Sequence, residues 1–327
     1  MNLRRIIVSL ATSSLFACGS SSQEGTGGAG GQGDGGAQAG GQGGATFATG
    51  SGGTGTGAGK PDATQYPELW YAVDQLLVRI ELDASDGSLV GFTASDLVGD
   101  FALGQNALTM LDDGSLLGAR LSKDDLQTYF YLIADPPRDG SSVTPDKLGV
   151  MPDGLMIEGL YTDCEGRIYA MDTGSDDTNA DGNRLLRFTG QVRAGDFSYV
   201  VVSDLATADV ADIDDMSPGI VGGAISDNPG LAIDTGDIHA FDYQTGSGTF
   251  VANAGTYGIH ALGGPLFDDA VARLYVLSSD AELLRVDPTT FVASGVLGTG
   301  PTPLNGIAGW SGLAGPLTDC ETGFVPQ

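Results

Sequence analysis

From Glu68 onward the chain is written in short apolar runs separated by turns rich in Asp, Asn and Gly. One line recurs: a first run, an Asp-containing turn, then a second short run. Gly154-Leu-Met-Ile-Glu-Gly-Leu-Tyr-Thr-Asp163 leads through Gly166 into Arg167-Ile-Tyr-Ala-Met171. Gly219–Asp227 leads through Gly230 into Leu231–Asp234, and Gly258–Asp268 leads into Arg273–Leu277. A shorter copy runs from Asn106 to Asp112 and on through Gly114 to Leu116-Leu117. The line begins again at Gly306 and reaches Pro316–Asp319.

A third run follows each second one, often closed by an Asp-rich turn. Leu76–Asp83, Ile238–Asp242 and Leu283–Asp287 are examples, and Ser198–Val202 and Gly248–Val251 read as fourth runs. Asp-Gly pairs between apolar runs mark hairpins, because glycine accepts positive φ. No long stretch carries a 3.6-residue period, so the domain is predicted to be all-β with few helices. Units of four strands, about 45 to 60 residues each, have the size of propeller blades.

The two ends fit one another. Glu68–Val73 reads as a second strand with no first strand before it, and the repeat from Gly306 offers a first strand and stops. A single β-propeller of five blades, its ring closed by N- and C-terminal strands together, accounts for both. Such closure removes open sheet edges. Six blades would require extra strands within 197–227, and a two-sheet sandwich would not need the repeated line.

Upstream of these runs the composition changes. Met1-Asn2-Leu3-Arg4-Arg5 is a basic start, and the apolar stretch from Ile6 to Phe16 is too short to span a bilayer core of about 30 Å as a helix. This is the arrangement of a signal peptide, assigned to 1–17. Leu15-Phe16-Ala17-Cys18 resembles the lipobox of bacterial lipoproteins, with Phe16 as a departure from the usual pattern. The resemblance implies lipidation at Cys18. Gly19 after the cysteine then favours the outer membrane of a Gram-negative envelope, periplasmic or surface-exposed. Residues 18–60 form a tether: 19 of the 42 residues from Gly19 to Lys60 are glycine. Such a segment cannot offset its ordering entropy and is expected to be disordered, with a mean span of about 36 Å.

Residues 61–327 are assigned to the propeller domain. They carry 40 Asp and Glu against 11 Lys and Arg. That balance argues against a nucleic-acid partner, whose phosphates need basic contacts. The plain reading is a solubilised, exposed domain acting as a monomer; the sharper one is calcium held by some of the carboxylates.

Asp177-Thr-Asn179-Ala-Asp181-Gly182 matches the opening of an EF-hand-type calcium loop, with Asp177, Asn179 and Asp181 as ligands. Phe188 stands where the loop's bidentate Glu belongs, and a solvated turn explains the segment equally well. Propellers usually bind ligands where first strands reach the channel mouth. There the repeat places Asn106 and Glu158 at equivalent positions, with His260 and Asn305 near the starts of their own strands. Glu158 and His260 could serve as acid and base. The plain reading has these four groups satisfying buried backbone or facing water. His239 lies in a third strand and reads as structural. The chain has no Gly-x-Ser-x-Gly elbow and no Walker loop.

Cys164 and Cys320 form a possible disulfide. An oxidising exterior favours it. Against it, Thr162-Asp-Cys-Glu165 and Thr318-Asp-Cys-Glu321 look like one turn in two blades, farther apart than the roughly 7 Å that a bond allows.

The pieces Ile238–Gly246 and Leu283–Thr290 resemble bacterial propellers of the pyrroloquinoline-quinone-like and lactonase-like repeat type. Ile157–Leu160 with Gly166–Tyr169 and Leu185–Phe188 is similar to a blade of the esterase-like phytase and SdiA-regulated propellers. The reading that follows is a lipoprotein whose propeller is a binding or scaffold module for an unknown protein or small molecule. The alternative is a calcium-dependent hydrolase of phosphoesters or lactones. A quinone-dependent dehydrogenase is poorer, because the blades lack a tryptophan-docking repeat.

Overall fold

The computed structural model describes residues 67–99, 107–122, 127–173, 184–204, 213–221, 224–256, 259–264, 273–302 and 311–315. Among the described residues nineteen strands form five small antiparallel sheets in sequence order. The first blade holds β1 (Glu68–Val73), β2 (Leu76–Leu82) and β3 (Leu89–Asp96). The second holds β4 (Ala107–Met110), β5 (Leu116–Leu121), β6 (Thr128–Ile133) and β7 (Asp146–Val150). The third holds β8 (Ile157–Thr162), β9 (Ile168–Asp172), β10 (Arg184–Phe188) and β11 (Tyr199–Asp204). The fourth holds β12 (Asp215–Val221), β13 (Ala224–Asp234), β14 (Asp237–Asp242) and β15 (Ser247–Asn253). The fifth holds β16 (Ile259–Gly263), β17 (Leu274–Ser278), β18 (Glu282–Val286) and β19 (Ala293–Thr299). Helix among the described residues is confined to two 3₁₀ turns, Pro152–Gly154 and Val192–Ala194.

Ring closure follows the repeat. The first sheet has three strands, and Ser311–Gly315 lies along the inner edge of β1. Trp70 N donates to Ala314 O at 2.7 Å, and Ala314 N returns to Trp70 O at 2.9 Å. Ser311 N donates to Ala72 O at 3.1 Å, while Ala72 N donates to Ser311 Oγ at 2.7 Å. The fourth strand of the first blade therefore comes from the other end of the chain. The described residues within 197–227 belong to β11, β12 and the start of β13 or to their flanking turns, and the sheets number five rather than six.

The core is a set of wedges between blades. Leu69, Tyr71 and Val73 pack against Tyr275 and Leu277 where the last blade meets the first. Trp70 and Leu77 meet Leu108 and Met110 at the next interface, and Phe130 meets Leu160 and Phe188 at the one after. Tyr161 and Tyr169 meet Phe241 and Tyr243, and Leu231 and Ile233 meet Leu262 and Val276. β1 and β17 are buried along their whole length, which is why Leu69–Val73 and Leu274–Leu277 read as unbroken apolar runs rather than alternating ones.

The Asp-rich turns have one recurring geometry. Gly87 N donates to Asp83 O, Gly246 N to Asp242 O and Phe291 N to Asp287 O, at 2.7, 2.6 and 2.8 Å. In each turn the aspartate carboxylate accepts the amide two residues on: Ser85, Gln244 and Thr289. The Ser85 hydroxyl and amide hold Asp83, and the Thr290 and Thr289 amides hold Asp287, below the ordinary carboxylate range; at Asp242 burial pulls upward, and the Gln244 amide with its neighbours outweighs it. Part of the acidity of the chain is therefore turn chemistry. The closing residue has positive φ in all three turns, 68° at Gly87, 69° at Gly246 and 56° at Phe291.

One assignment from the repeat needs correction. Gly219–Asp227 is not the first strand of its blade. β12 begins at Asp215 and β13 at Ala224, so that line straddles two strands. Its glycines made the segment look like the start of a repeat, whereas the strand begins on the acidic residues before it.

Candidate functional site

Five innermost segments, β4, β8, β12, β16 and Ser311–Gly315, surround the ring axis. Residues that are equivalent by register with the second strands are Ala107, Gly159, Asp215 and Ala261, paired with Ala119, Met171, Ile233 and Leu277. Small residues hold this level in three blades, and Asp215 holds it in the fourth. The Asp215 side chain is buried in the space they leave.

Its carboxylate ties three blades together. Oδ1 accepts Met216 N at 2.9 Å within its own strand. Oδ2 accepts Leu262 N of β16 at 3.0 Å and Leu313 N of the closing segment at 2.9 Å. A Cβ at Gly312 would collide with this carboxylate, so the closing segment passes it only as glycine. Burial pushes the Asp215 carboxyl up to about 7, against the downward pull of the Leu313, Leu262 and Met216 amides.

Past this level the channel narrows to a cavity of about 40 Å³ lined by residues that include Leu108, Tyr161, Met216, Gly263 and Leu313. Thr109 and Thr162 share a hydroxyl hydrogen bond of 3.0 Å across it. A buried water needs about 10–15 Å³, so the space accommodates a few waters and no substrate.

Two of the four mouth residues read from the sequence fall within the described strands. Glu158 is the extra residue of a bulge in β8, between the Ile157–Asp172 and Gly159–Met171 pairs, and is half-buried. His260 holds the same place in β16, between the Ile259–Ser278 and Ala261–Leu277 pairs. The structure thus brings both to one level of the ring, in the blades flanking that of Asp215. Bulges re-aim side chains and recur beside functional sites. Asn106 and Asn305 lie outside the described residues, as do Asp177, Asn179 and Asp181 of the calcium loop, and Cys18 and Cys320. Cys164 is disulfide-bonded; its partner lies outside the described residues. His239 is buried in β14 with Nδ1 unpaired among the described residues, edge-on to Phe250 at 5.9 Å.

Two surface grooves lie between the second and third blades. One, of about 290 Å³, contains Arg167 and Arg193 beside Asp112 and Gln191. Both guanidinium groups are already engaged, Arg167 by Asp163 and Glu165, Arg193 by Asp113 and Ser115. The other, of about 670 Å³, runs beside β11 with Val150, Pro152, Phe197 and Val201 in its walls and Asp153 and Asp196 at its rim.

Asp215 and the β11 groove were both missed in the sequence. The signal for Asp215 was an acidic residue at a position that is Ala or Gly in the neighbouring blades, hidden because that strand was started four residues late.

No family model matches the chain, and no curated protein matches it. Among solved structures it is similar to a chain in the crystal structure of the nidogen/laminin complex. That match has 10% identity, spans 77% of this chain and 99% of that one, and has a TM-score of 0.45. It is also similar to virginiamycin B lyase from Staphylococcus aureus, at 15% identity over 70% of this chain and 64% of that one, TM-score 0.36. YCF48 bound to D1 peptide gives 10% identity over 74% and 67% of the two chains, TM-score 0.34. At these values the likenesses carry no activity across. The propeller stands on its own sheets.

Proposed function

We propose that the chain is a lipid-anchored envelope protein whose propeller binds a macromolecular partner on its outer surface. The observation behind this reading is a contrast among the described residues. The cavity inside the ring is about 40 Å³, far below the roughly 300–1,000 Å³ of small-molecule sites, while the groove beside β11 is about 670 Å³, which supports recognition on the outer surface. The anchor rests on the sequence: a short apolar leader, a lipobox-like Leu15–Cys18, and a glycine-rich tether long enough to hold the domain clear of lipid. Two or more acyl chains at Cys18 would make the attachment stable. Placement in the outer membrane belongs to the same proposal.

Two measurements on the full chain test it. Palmitate labelling and membrane fractionation should both depend on Cys18, and a Cys18→Ser chain that stays membrane-bound would overturn the anchor. The full chain should turn over neither phosphoesters nor lactones, with or without calcium. Hydrolysis at ordinary enzymatic rates would replace the binding reading with the hydrolase one.

A further inference from the structure

We propose that β11 and the groove beside it receive an extended, lysine- or arginine-bearing segment of another polypeptide, added as an outer strand to the third blade. This rests on the binding reading above and names its site.

β11 is the outermost strand of its sheet, so its outward backbone groups have no ladder partner among the described residues. Such edges are usually guarded by charge, proline or a covering element. β7, the matching edge of the second blade, carries Asp146 and Lys147, and Phe197 packs against its Gly149. Tyr199 to Ser203 of β11 contain no charge and no proline. Val200 and Val201 are 42% and 49% exposed there.

The groove supplies the rest of a strand-binding site. Strand addition takes affinity from main-chain bonds and specificity from pockets for alternate side chains. Here Val201 and Phe197 form an apolar wall, and Phe197 is held rigid by stacking on Phe130 at 4.5 Å. Asp196 stands exposed at the rim, kept ionised by bonds from the Ser198 hydroxyl (2.6 Å) and amide (3.1 Å). Asp153 faces it, positioned by the Tyr199 hydroxyl at 2.9 Å. An apolar side chain fits the wall, and a cationic neighbour meets the two carboxylates.

Charge selects the occupant. The chain has a net charge of −28, so a second copy approaching edge to edge meets like charge, while a basic segment is drawn in.

The test uses the full chain in detergent and three synthetic nonapeptides. The first alternates Lys or Thr with Val; the second has equal charge but prolines at the valines; the third has Glu in place of Lys. The lysine–valine peptide should bind and protect the Val200–Asp204 amides from hydrogen exchange. The other two should not. Val201→Lys and Asp153→Asn/Asp196→Asn should each weaken binding about tenfold or more, and Val90→Lys on β3 should not. Equal binding of the proline peptide would reduce the effect to bulk charge and overturn the proposal. Protection at β15 instead would overturn this site while leaving a binding module. Self-association abolished by Val201→Lys would make the occupant a second copy, and absence of binding by any peptide would remove the site.

Discussion

The Asp215 carboxylate accepts the Leu313 amide at 2.9 Å, joining the fourth blade to the segment that closes the ring. The same oxygen takes Leu262 of the fifth blade at 3.0 Å, so one side chain ties the fourth and fifth blades to the closing segment. Removing it leaves three buried N–H groups, those of Met216, Leu262 and Leu313, without an acceptor. Each unsatisfied group costs about 1–3 kcal/mol, offset in part by relief from burying the carboxyl. Asp215→Ala is therefore expected to destabilise by about 3 kcal/mol, lowering the melting temperature by about 5–10 °C. Asp215→Asn, which can keep the Leu262 and Leu313 bonds on its carbonyl, should lose less. A melt of Asp215→Ala that matches wild type would remove the tie from the account.

The same group sets a pH dependence. Its folded value is raised to about 7 by burial, so its contribution is fully present below the unfolded carboxylate range and is lost as pH rises through 7. His239 acts in the opposite sense: burial lowers its value, so its contribution is lost as pH falls below that of a free imidazole. The informative quantity is thus the difference between wild type and Asp215→Asn. Melted from pH 5 to 8.5, wild type should lose stability relative to Asp215→Asn as pH rises. Parallel curves would show that Asp215 keeps one protonation state throughout.

Much of the ring was legible in the sequence because blades bury both faces. Leu69–Val73 and Leu274–Leu277 announced themselves as apolar runs, and the turns as Asp followed by Gly. Closure was legible too, since Glu68–Val73 lacked a first strand. The start of β12 was not, because Asp214 and Asp215 look like loop residues until the ring places Gly159, Leu262 and Gly312 around them. The β11 groove was hidden for a similar reason. Val150 and Pro152 come from one blade boundary and Val201 from the far side of the next blade, and no local pattern links them. Buried Glu68 is a further case: it binds Arg79 at 2.6 Å and Arg138 at 2.7 Å, the latter 70 residues away.

Cys164 is disulfide-bonded, and Cys320 is the expected partner once Cys18 is reserved for lipid. A non-reducing peptide map should join the Cys164 and Cys320 peptides. Cys164→Ser should cost about 2–4 kcal/mol, the usual effect of losing a link across a long loop. A map joining Cys164 to Cys18 would contradict both the pairing and the anchor.

Calcium remains a proposal for Asp177, Asn179 and Asp181. An ion bound only by the native state must raise the melting temperature. Full-length protein moved from EDTA into millimolar calcium should then gain several degrees, and Asp181→Asn should lose that gain. An unchanged melt would leave the segment as a solvated turn.

The rim and the channel mouth can be compared in living cells by photo-crosslinking, with a benzophenone amino acid placed in turn at Val201, Val90 and Glu158. Recognition at the β11 edge should give adducts to one polypeptide from Val201 and none from Val90 or Glu158. Adducts from Glu158 with none from Val201 would place recognition at the channel mouth and contradict an outer-surface binding module.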